Sequence, residues 1–427
     1  MELLLILIFI LGYIAIAIEH VIKINKTAPA LLIGALMWAI WALFDHHHII
    51  EISEELNLEL ANISQILFFL MGAMTIVEMI DAHRGFKIIT DKIATKNSQK
   101  LLWIVSILTF FLSAVLDNLT ASIVMVSLLR KLVVDKNQRL YFSGMIIIAA
   151  NAGGAWSPIG DVTTTMLWIG GQISSVNIMK TLFIPSIISM FIPLFYLGRK
   201  IKNEKIQMND KILNQDKKIK GSLTILILGI SALLFVPIFK TITHLPPYIG
   251  MLFGLSILWI VSELLHKDKP IEEKSQFSPL FALTKIDVPS ILFFLGILLA
   301  IGTLQGTGVL GDLATWMDNS IGNQNIIVLS IGLLSAIVDN VPLVAATMKM
   351  YPLSQFPMDS NLWEFIAYAA GTGGSCLIIG SAAGVAVMGM EKIDFIWYFK
   401  KISWLALLGY FVGAIAYILL YPIFAVY

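Results

Sequence analysis

The sequence predicts an all-α polytopic membrane protein built from two inverted-topology repeats, each with a re-entrant helical hairpin and a broken transmembrane helix. An apolar composition, an internal repeat at a fixed shift, and an uneven placement of lysine and arginine carry this expectation. Of 427 residues, 58% are hydrophobic and 13% charged, and the mean hydropathy is +0.85. Runs long enough to cross a ~30 Å hydrocarbon core recur at 2–18, 28–44, 61–80, 178–197, 221–239, 247–264, 287–304 and 402–424. No large soluble domain fits between them. The single Cys376 excludes an intrachain disulfide and any zinc or iron–sulfur site made of cysteines. The first run follows Met1 and Glu2 without a basic leader or a small-residue cleavage site, so a retained first helix is expected.

The repeat appears when the chain is slid along itself by about 222 positions. "SAVLDN" then meets "SAIVDN", pairing Asp117 with Asp339 and Asn118 with Asn340. At nearly the same shift "FFLMGAMTIVE" (68–78) meets "FFLGILLAIGT" (293–303), and "AANAGGAWSPIGD" (149–161) meets "AAGTGGSCLIIGS" (369–381). Residues 1–200 and 221–427 therefore read as two copies joined by a basic linker, 201–220.

Charge placement supplies the topology. If 101–130 and 325–350 are hairpins that enter and leave on one face, 26 of the 29 lysines and arginines fall on a single side, and only Lys180, Lys240 and Lys349 fall on the other. A full crossing at the first hairpin would scatter the basic stretches at 130–139 and 198–220 away from 81–100, against the positive-inside rule. The basic face is then cytoplasmic and the N-terminus outside. The second copy starts from the opposite side, so the copies are inverted, an architecture of secondary transporters that bind substrate near the midplane. Residues 86–97 and 309–318 carry apolar positions three or four apart and read as helices lying along the interface.

The polar residues inside apolar sequence carry the chemistry. Irregular backbone survives at membrane depth only when buried in protein or lining a wet cavity. "NAGGAWSPIGDVTTT" (151–165) is such a piece, because Gly153, Gly154, Pro158 and Gly160 interrupt a helix flanked by apolar sequence. Asn151, Ser157, Asp161, Thr163 and Thr164 surround the break with carboxylate, amide and hydroxyl oxygens, the donors a small hard cation needs in place of its water. The matching piece (371–384) has Gly371 for Asn151, Leu377-Ile378 for Ser157-Pro158, and Ser381 for Asp161. The first half thus reads as the site, with the second adding Ser375, Ser381 and the hairpin tip at Asp339 and Asn340. Asp117 and Asp339 have two readings. They cap the second limb of each hairpin, as Asp commonly does, or they are functional carboxylates of the kind that intramembrane acids usually are. A cation and a proton competing for one such carboxylate suffices to couple opposed fluxes.

Other groups have bland readings beside the functional ones. Glu78 and Asp81 close the third apolar run as a solvated helix end or a proton path. Asp45 to His48 reads as a solvated loop or a pH sensor, and His83, beside the cytoplasmic end of the third run, as a candidate protonation gate. The Walker-type phosphate loop is absent, so an ATP-driven pump is disfavoured.

With two inverted halves, hairpin tips at "DN" and the stretch "NAGGAWSPIGDVTT", the chain resembles the NhaD-type sodium/proton antiporters of the ion transporter superfamily over essentially its whole length. The resemblance implies a homodimeric carrier in the inner (cytoplasmic) membrane, with a fixed scaffold and a transport domain that slides in elevator fashion, exchanging Na⁺ or Li⁺ for protons. No cofactor and no nucleic-acid partner are expected; the partners are small cations and the lipid bilayer. The family's functional positions would fall on Asp117, Asn118, Asn151, Asp161, Thr163, Thr164, Ser335, Asn340 and Ser375. Related dicarboxylate carriers have Ser-Asn-Thr at both tips, where this chain has Asp-Asn. The alternative within the same architecture is an anion carrier, for arsenite or a dicarboxylate, driven by Na⁺ or H⁺; a passive channel is a third reading.

Overall fold

A computed structural model describes the whole chain except residues 18, 46–47, 91–94, 96, 202–218, 338 and 425–427. Among the described residues there is helix and no strand, and eight helices are long and apolar enough to cross a membrane. This is the polytopic all-α membrane protein that the composition demands. The basic linker at 201–220, His46 and His47 fall largely or wholly outside the described residues.

The chain opens with α1 (Glu2–Ala17), the single turn α2 (Glu19–Ile22), α3 (Thr27–Phe44), α4 (Ile49–Ala82) and α5 (Gly85–Thr90). The first hairpin follows as α6 (Ser98–Leu116) and α7 (Asn118–Leu132), then the first broken helix as α8 (Lys136–Ala155) and α9 (Val162–Ile169), then α10 (Ser175–Lys200). After the linker come α11 (Ser222–Thr243), α12 (Pro247–Leu265), two short turns α13 (Ile271–Ser275) and α14 (Pro279–Leu283), α15 (Val288–Gly306) and α16 (Val309–Ile321). The order of the first half then recurs. A hairpin of α17 (Gln324–Leu334) and α18 (Asn340–Met350) leads to a broken helix of α19 (Asn361–Gly373) and α20 (Ala382–Glu391). A short α21 (Phe395–Tyr398) and a π-helical turn lead into α22 (Trp404–Phe424).

Two departures from the sequence expectation have physical causes. Helix α4 runs for 34 residues, about 51 Å at 1.5 Å per residue. Its first turns interrupt the apolar run with Glu51, Glu54, Glu55 and Glu59, yet Glu, Leu and Ala are good helix formers and carry the helix through them. Of the two expected interfacial helices, α16 covers 309–318 with an exposed Trp316 and Leu313, whereas α5 covers only 86–90 of 86–97 and residues 91–94 are not described.

The helices pack in two groups. In one, α3 lies against α15 and α1, and α4 against α12, α11 and α15. In the other, α6 and α7 lie against α8, α17 against α19, and α10 against α22 and α8. Helix α18 joins the two, touching α15 and α16 on one side and α9 and α19 on the other. Within the second group, each hairpin's first limb meets its broken helix at a glycine. A Cβ on Gly153 would lie 2.2 Å from the Phe110 carbonyl oxygen, and one on Gly373 would lie 2.0 Å from that of Gly332. These contacts bring polar backbone at each break close enough for a serine to bridge, Ser113 Oγ to the Ala150 carbonyl at 2.6 Å and Ser335 Oγ to the Ala370 carbonyl at 3.2 Å.

At one end of the first group α4 and α12 are pinned by a buried imidazole pair. His83 caps α4 and donates from Nδ1 to the Met79 carbonyl at 2.7 Å. Its Nε2 is therefore an acceptor, 3.0 Å from Nε2 of His266, which caps α12 and stacks on Phe277 at 4.4 Å. Burial lowers the proton affinity of both, pushing His266 down to about 4, with His83 as a further cause.

Two outcomes are expected. Gly153→Ala should lower the unfolding temperature of the detergent-solubilised protein, the overpacking cost being about 1–3 kcal/mol; Gly389→Ala, with open space around it, should not. A base that protonates less readily folded than unfolded stabilises the fold above its unfolded pKa of ~6.5, and the benefit is lost as pH falls toward about 4. Thermal unfolding from pH 7 to 4 should accordingly show a decline that His266→Gln flattens.

Candidate functional site

Both hairpin tips and the first break converge on one buried carboxylate. The break between α8 and α9 ends at Asp161, which adopts an extended backbone and closes α9 with a capping box. Its Oδ1 accepts from the Thr163 N–H and the Thr163 hydroxyl, both at 2.9 Å. Thr164 Oγ1 lies 2.9 Å from the Asp161 carbonyl and 3.3 Å from its N–H. The second carboxylate oxygen receives one amide from each hairpin tip, Asn118 Nδ2 and Asn340 Nδ2 at 3.5 Å. Asp161 is only 2% exposed. A carboxylate so far from water costs several kcal/mol unless hydrogen bonds replace its hydration, and these donors do so.

Asn151 ties the two broken helices together. Its carbonyl oxygen accepts from Asn118 at 3.0 Å, and its amide donates to Ser375 Oγ at 2.8 Å and Ser381 Oγ at 2.9 Å. Both serines come from the break between α19 and α20, where Gly371 stands in the place of Asn151 and has no side chain to return the contact. The Ser375 carbonyl in turn accepts from the buried Tyr398 hydroxyl at 2.9 Å.

Asp117 sits at the joint of the first hairpin with φ 77° and ψ 160°, a region comfortable only for glycine and costing about 1–3 kcal/mol for another residue. Its carboxylate caps α7, accepting from the Thr120 N–H and hydroxyl at 2.8 Å each. With Asn118, Asp161, Thr165 and Ser290 it lines a small cavity of about 50 Å³ between α4, α7 and α9, room for a few waters. Asp339 also caps its helix, accepting from the Val341 N–H at 3.3 Å, but its other oxygen is held by the Lys26 ammonium at 2.8 Å. The capping reading of both "DN" aspartates thus holds, and capping leaves each with an oxygen or a face for something else.

Of the ten residues singled out, Asn118, Asn151, Asp161, Thr163, Asn340 and Ser375 form one connected network, Asp117 and Thr164 border it, and Asp339, next to Asn340, is turned to Lys26. Ser335 stands apart. Its hydroxyl is used on the Gly332 and Ala370 carbonyls, bracing α17 against α19. Three partners lacked a readable signal in the sequence: Lys26, 313 positions from Asp339, Glu59, 290 from Lys349, and Tyr398. Among the other candidates, Asp81 is exposed and Glu78 partly buried, and His48 pairs with Asp45 at 2.7 Å in an exposed loop.

A second cavity, of about 320 Å³, lies at the other end of α9, lined by Glu59, Asn62, Gln65, Gln172, Gln305 and Lys349. Helix α9 and Thr165–Met166 separate it from the cavity at Asp117. A carboxylate buried at a helix break, with a small, mostly apolar-walled cavity at one end of the short helix and a wider, more polar one at the other, is the construction of a membrane transporter rather than of an enzyme.

Comparison with known proteins agrees. The citrate transporter family model matches residues 13–364. Sodium/proton antiporter 1 of Arabidopsis thaliana is 49% identical over 96% of this chain and 71% of its own length, and sodium/proton antiporter 2 of the same plant 46% over 96% and 98%. The Na⁺/H⁺ antiporter NhaD of Vibrio cholerae is 30% identical over 97% of this chain and 91% of its own. The chain belongs to the citrate transporter family, among the NhaD-type sodium/proton antiporters of the ion transporter superfamily.

The network and the strut make different predictions. Asn151→Ala should raise the sodium concentration for half-maximal exchange about tenfold, the worth of one charge-linked hydrogen bond. Ser335→Ala should leave it within about twofold and instead lower thermal stability by about 1 kcal/mol.

Proposed function

We propose that this chain exchanges Na⁺ or Li⁺ for H⁺, with Asp161 and Asp117 as the carboxylates for which cation and proton compete. The observation that carries the reading is the double amide contact on Asp161. Asn118 and Asn340 turn their NH₂ groups to the carboxylate; rotation of either side chain by half a turn presents a carbonyl oxygen instead. One geometry suits a carboxylate without a metal ion and the other suits a coordinated cation, with Asp161, Asp117, Asn151 and Thr163 as further oxygen donors. Thr164 and Ser375 hold these donors in place, Ser335 braces the second hairpin beneath them, and Asp339 positions Asn340. The names of the relatives agree with this substrate pair.

The finer mechanism is alternating access of the elevator kind. The group of α6–α10 with α17, α19, α20 and α22 moves, and the group of α1, α3, α4, α11, α12 and α15 stays. The recurrence of hairpin, broken helix and long helix supports two inverted repeats, 1–200 and 221–427, about a basic linker. The positive-inside rule supports an inner-membrane protein with its N-terminus outside, and the family supports a homodimer. Anion transport is disfavoured, since the groups around Asp161 are a carboxylate, amides and hydroxyls, and the nearby Lys26 is neutralised by Asp339.

The test is sodium-induced proton release from the purified protein in weak buffer. Wild type should acidify the medium on addition of Na⁺ or Li⁺, and Asp117→Asn and Asp161→Asn should each reduce the signal to below a tenth. Undiminished release in both variants would remove these carboxylates from the mechanism, and no release from wild type would remove the exchange itself.

A further inference from the structure

The wider cavity, about 320 Å³ at the far end of α9, lies between α4 and α15 on one side and α9 and α18 on the other. A membrane span takes about 20 residues, and α4 has 34; counted back from Ala82, the span reaches the opposite surface near Asn62. Asn62 of α4 and Gln305 of α15 line the cavity and are exposed, and Gln65 is half-buried. The cavity is therefore a wet recess let in from one surface. That surface carries Lys180, Lys240 and Lys349, and the placement of charge makes it the outer one.

The floor of the recess comes close to the central carboxylate. Met166 lines it, while the preceding residue, Thr165, lines the small cavity shared with Asp117 and Asp161. The wall between the two is α9 itself. Across the recess the Lys349 ammonium meets Glu59 Oε2 at 2.7 Å. Glu59 belongs to α4, and Lys349 to α18, the limb that begins at Asn340. The pair thus straps the second hairpin to the first helix group. Its side chains are 11% and 24% exposed, so water can replace either partner when they part. Glu55, one turn before Glu59, is near enough to feel both charges. The entrance accordingly holds more negative than positive charge, which raises the local concentration of cations.

We propose that this recess is the outer mouth of the carrier, a site for a small cation with part of its water shell, and that the Lys349–Glu59 pair is the latch that closes it. This rests on the sodium/proton reading above. While the pair holds, α18 is drawn against α4, and α9 blocks the way to Asp161. When it parts, α18 and α9 move off together, since they pack on each other, and the carboxylate comes within reach of the recess. Glu59 and Lys349 act through the hairpin that holds Asn340 and are positioning residues.

The experiment is labelling with a sulfonated, membrane-impermeant maleimide. The one native thiol, Cys376, is buried and makes the wild type the blank. Gln305→Cys should be labelled from the outer face of spheroplasts and not from the cytoplasmic face of everted vesicles, and the labelled carrier should lose sodium-driven exchange. Adding Lys349→Met should speed outer labelling up to about fivefold, the shift in open population that loss of a partly exposed ion pair allows. Lys349→Arg, which keeps the charge, should leave the rate of Gln305→Cys unchanged. Labelling from the cytoplasmic face, labelling from neither face, or undiminished exchange by the labelled carrier overturns the mouth. Equal outer rates with Lys349 and with Met at that position, or a gain in rate from both faces alike, overturns the latch. If Gln305→Cys does not fold, Asn62→Cys on the α4 wall gives the same readings. Labelling does not depend on which ion is exchanged, so the two ideas fail separately. Absence of exchange in wild type sinks the function, whereas exchange in wild type without outer labelling sinks only the mouth.

Discussion

The constraint on which the structure depends is the hydration of one carboxylate by protein. Asp161 is almost wholly removed from solvent, and backbone or side-chain polar groups inside a membrane protein must find their hydrogen bonds within the protein or in a wet cavity. Four donors from three separate segments replace that shell: the Thr163 N–H and hydroxyl, and an amide from each hairpin tip. Each of those segments must itself be irregular to present its donor, so the helix break and both hairpin turns follow from the one charge. The glycine contacts at Gly153 and Gly373 follow in turn, because only a side chain without Cβ lets the first limb of a hairpin lie directly on the broken helix and carry its tip to the centre.

The two halves share this scaffold and divide the chemistry. In the first half the break carries Asp161 and Asn151, and the hairpin joint holds Asp117 in a backbone conformation that costs energy. In the second, Ser381 and Gly371 take the equivalent places, and the joint at Asp339 has negative φ and a lysine on its carboxylate. A symmetric pair of charged breaks would place two more acids within the same small volume, and their repulsion would hold both protonated. The serine at 381 and the Lys26 ammonium on Asp339 leave Asp117 and Asp161 as the two carboxylates without a basic partner among the contacts described.

Much of this was legible in the sequence for a definite reason. Glycine, proline and single polar residues inside apolar runs have few explanations in a membrane, so the hairpins at 101–130 and 325–350 and the breaks after Asn151 and Gly371 could be placed within a few residues. The length of α4 was hidden because the glutamates of its first turns break the apolar run by which a membrane helix is recognised. The ion pairs at Lys26 and Lys349 were hidden because a lone charge near a helix end looks the same whether it faces water or a partner some 300 positions away. The "DN" motif could not distinguish Asp117 from Asp339, since the difference lies in what stands opposite each one. His83 was visible as a gate candidate at a helix end, but its burial and its partner His266 were not, because nothing local to either histidine specifies the other.

The contrast between the contacts within and between the two helix groups bears on motion. Inside each group helices interlock at glycines: a Cβ on Gly34 would meet the Gly296 backbone between α3 and α15 at 2.5 Å, and one on Gly409 the Ser189 carbonyl between α22 and α10 at 2.3 Å. Such surfaces separate only with loss of dense van der Waals contact. Between the groups lie three lysine contacts, Lys26 on Asp339, Lys349 on Glu59, and Lys240 on the Trp168 carbonyl of α9, with a cavity lined by Glu59, Gln172, Gln305 and Lys349 beside the second. Partly exposed ion pairs contribute about 0–1 kcal/mol each, because water replaces the partner when they part. An interface held by such contacts can break and re-form at low cost, while one held by interlocked backbone cannot. In the elevator motion proposed above, the seam along α18 and α9 is the surface along which the two groups would part.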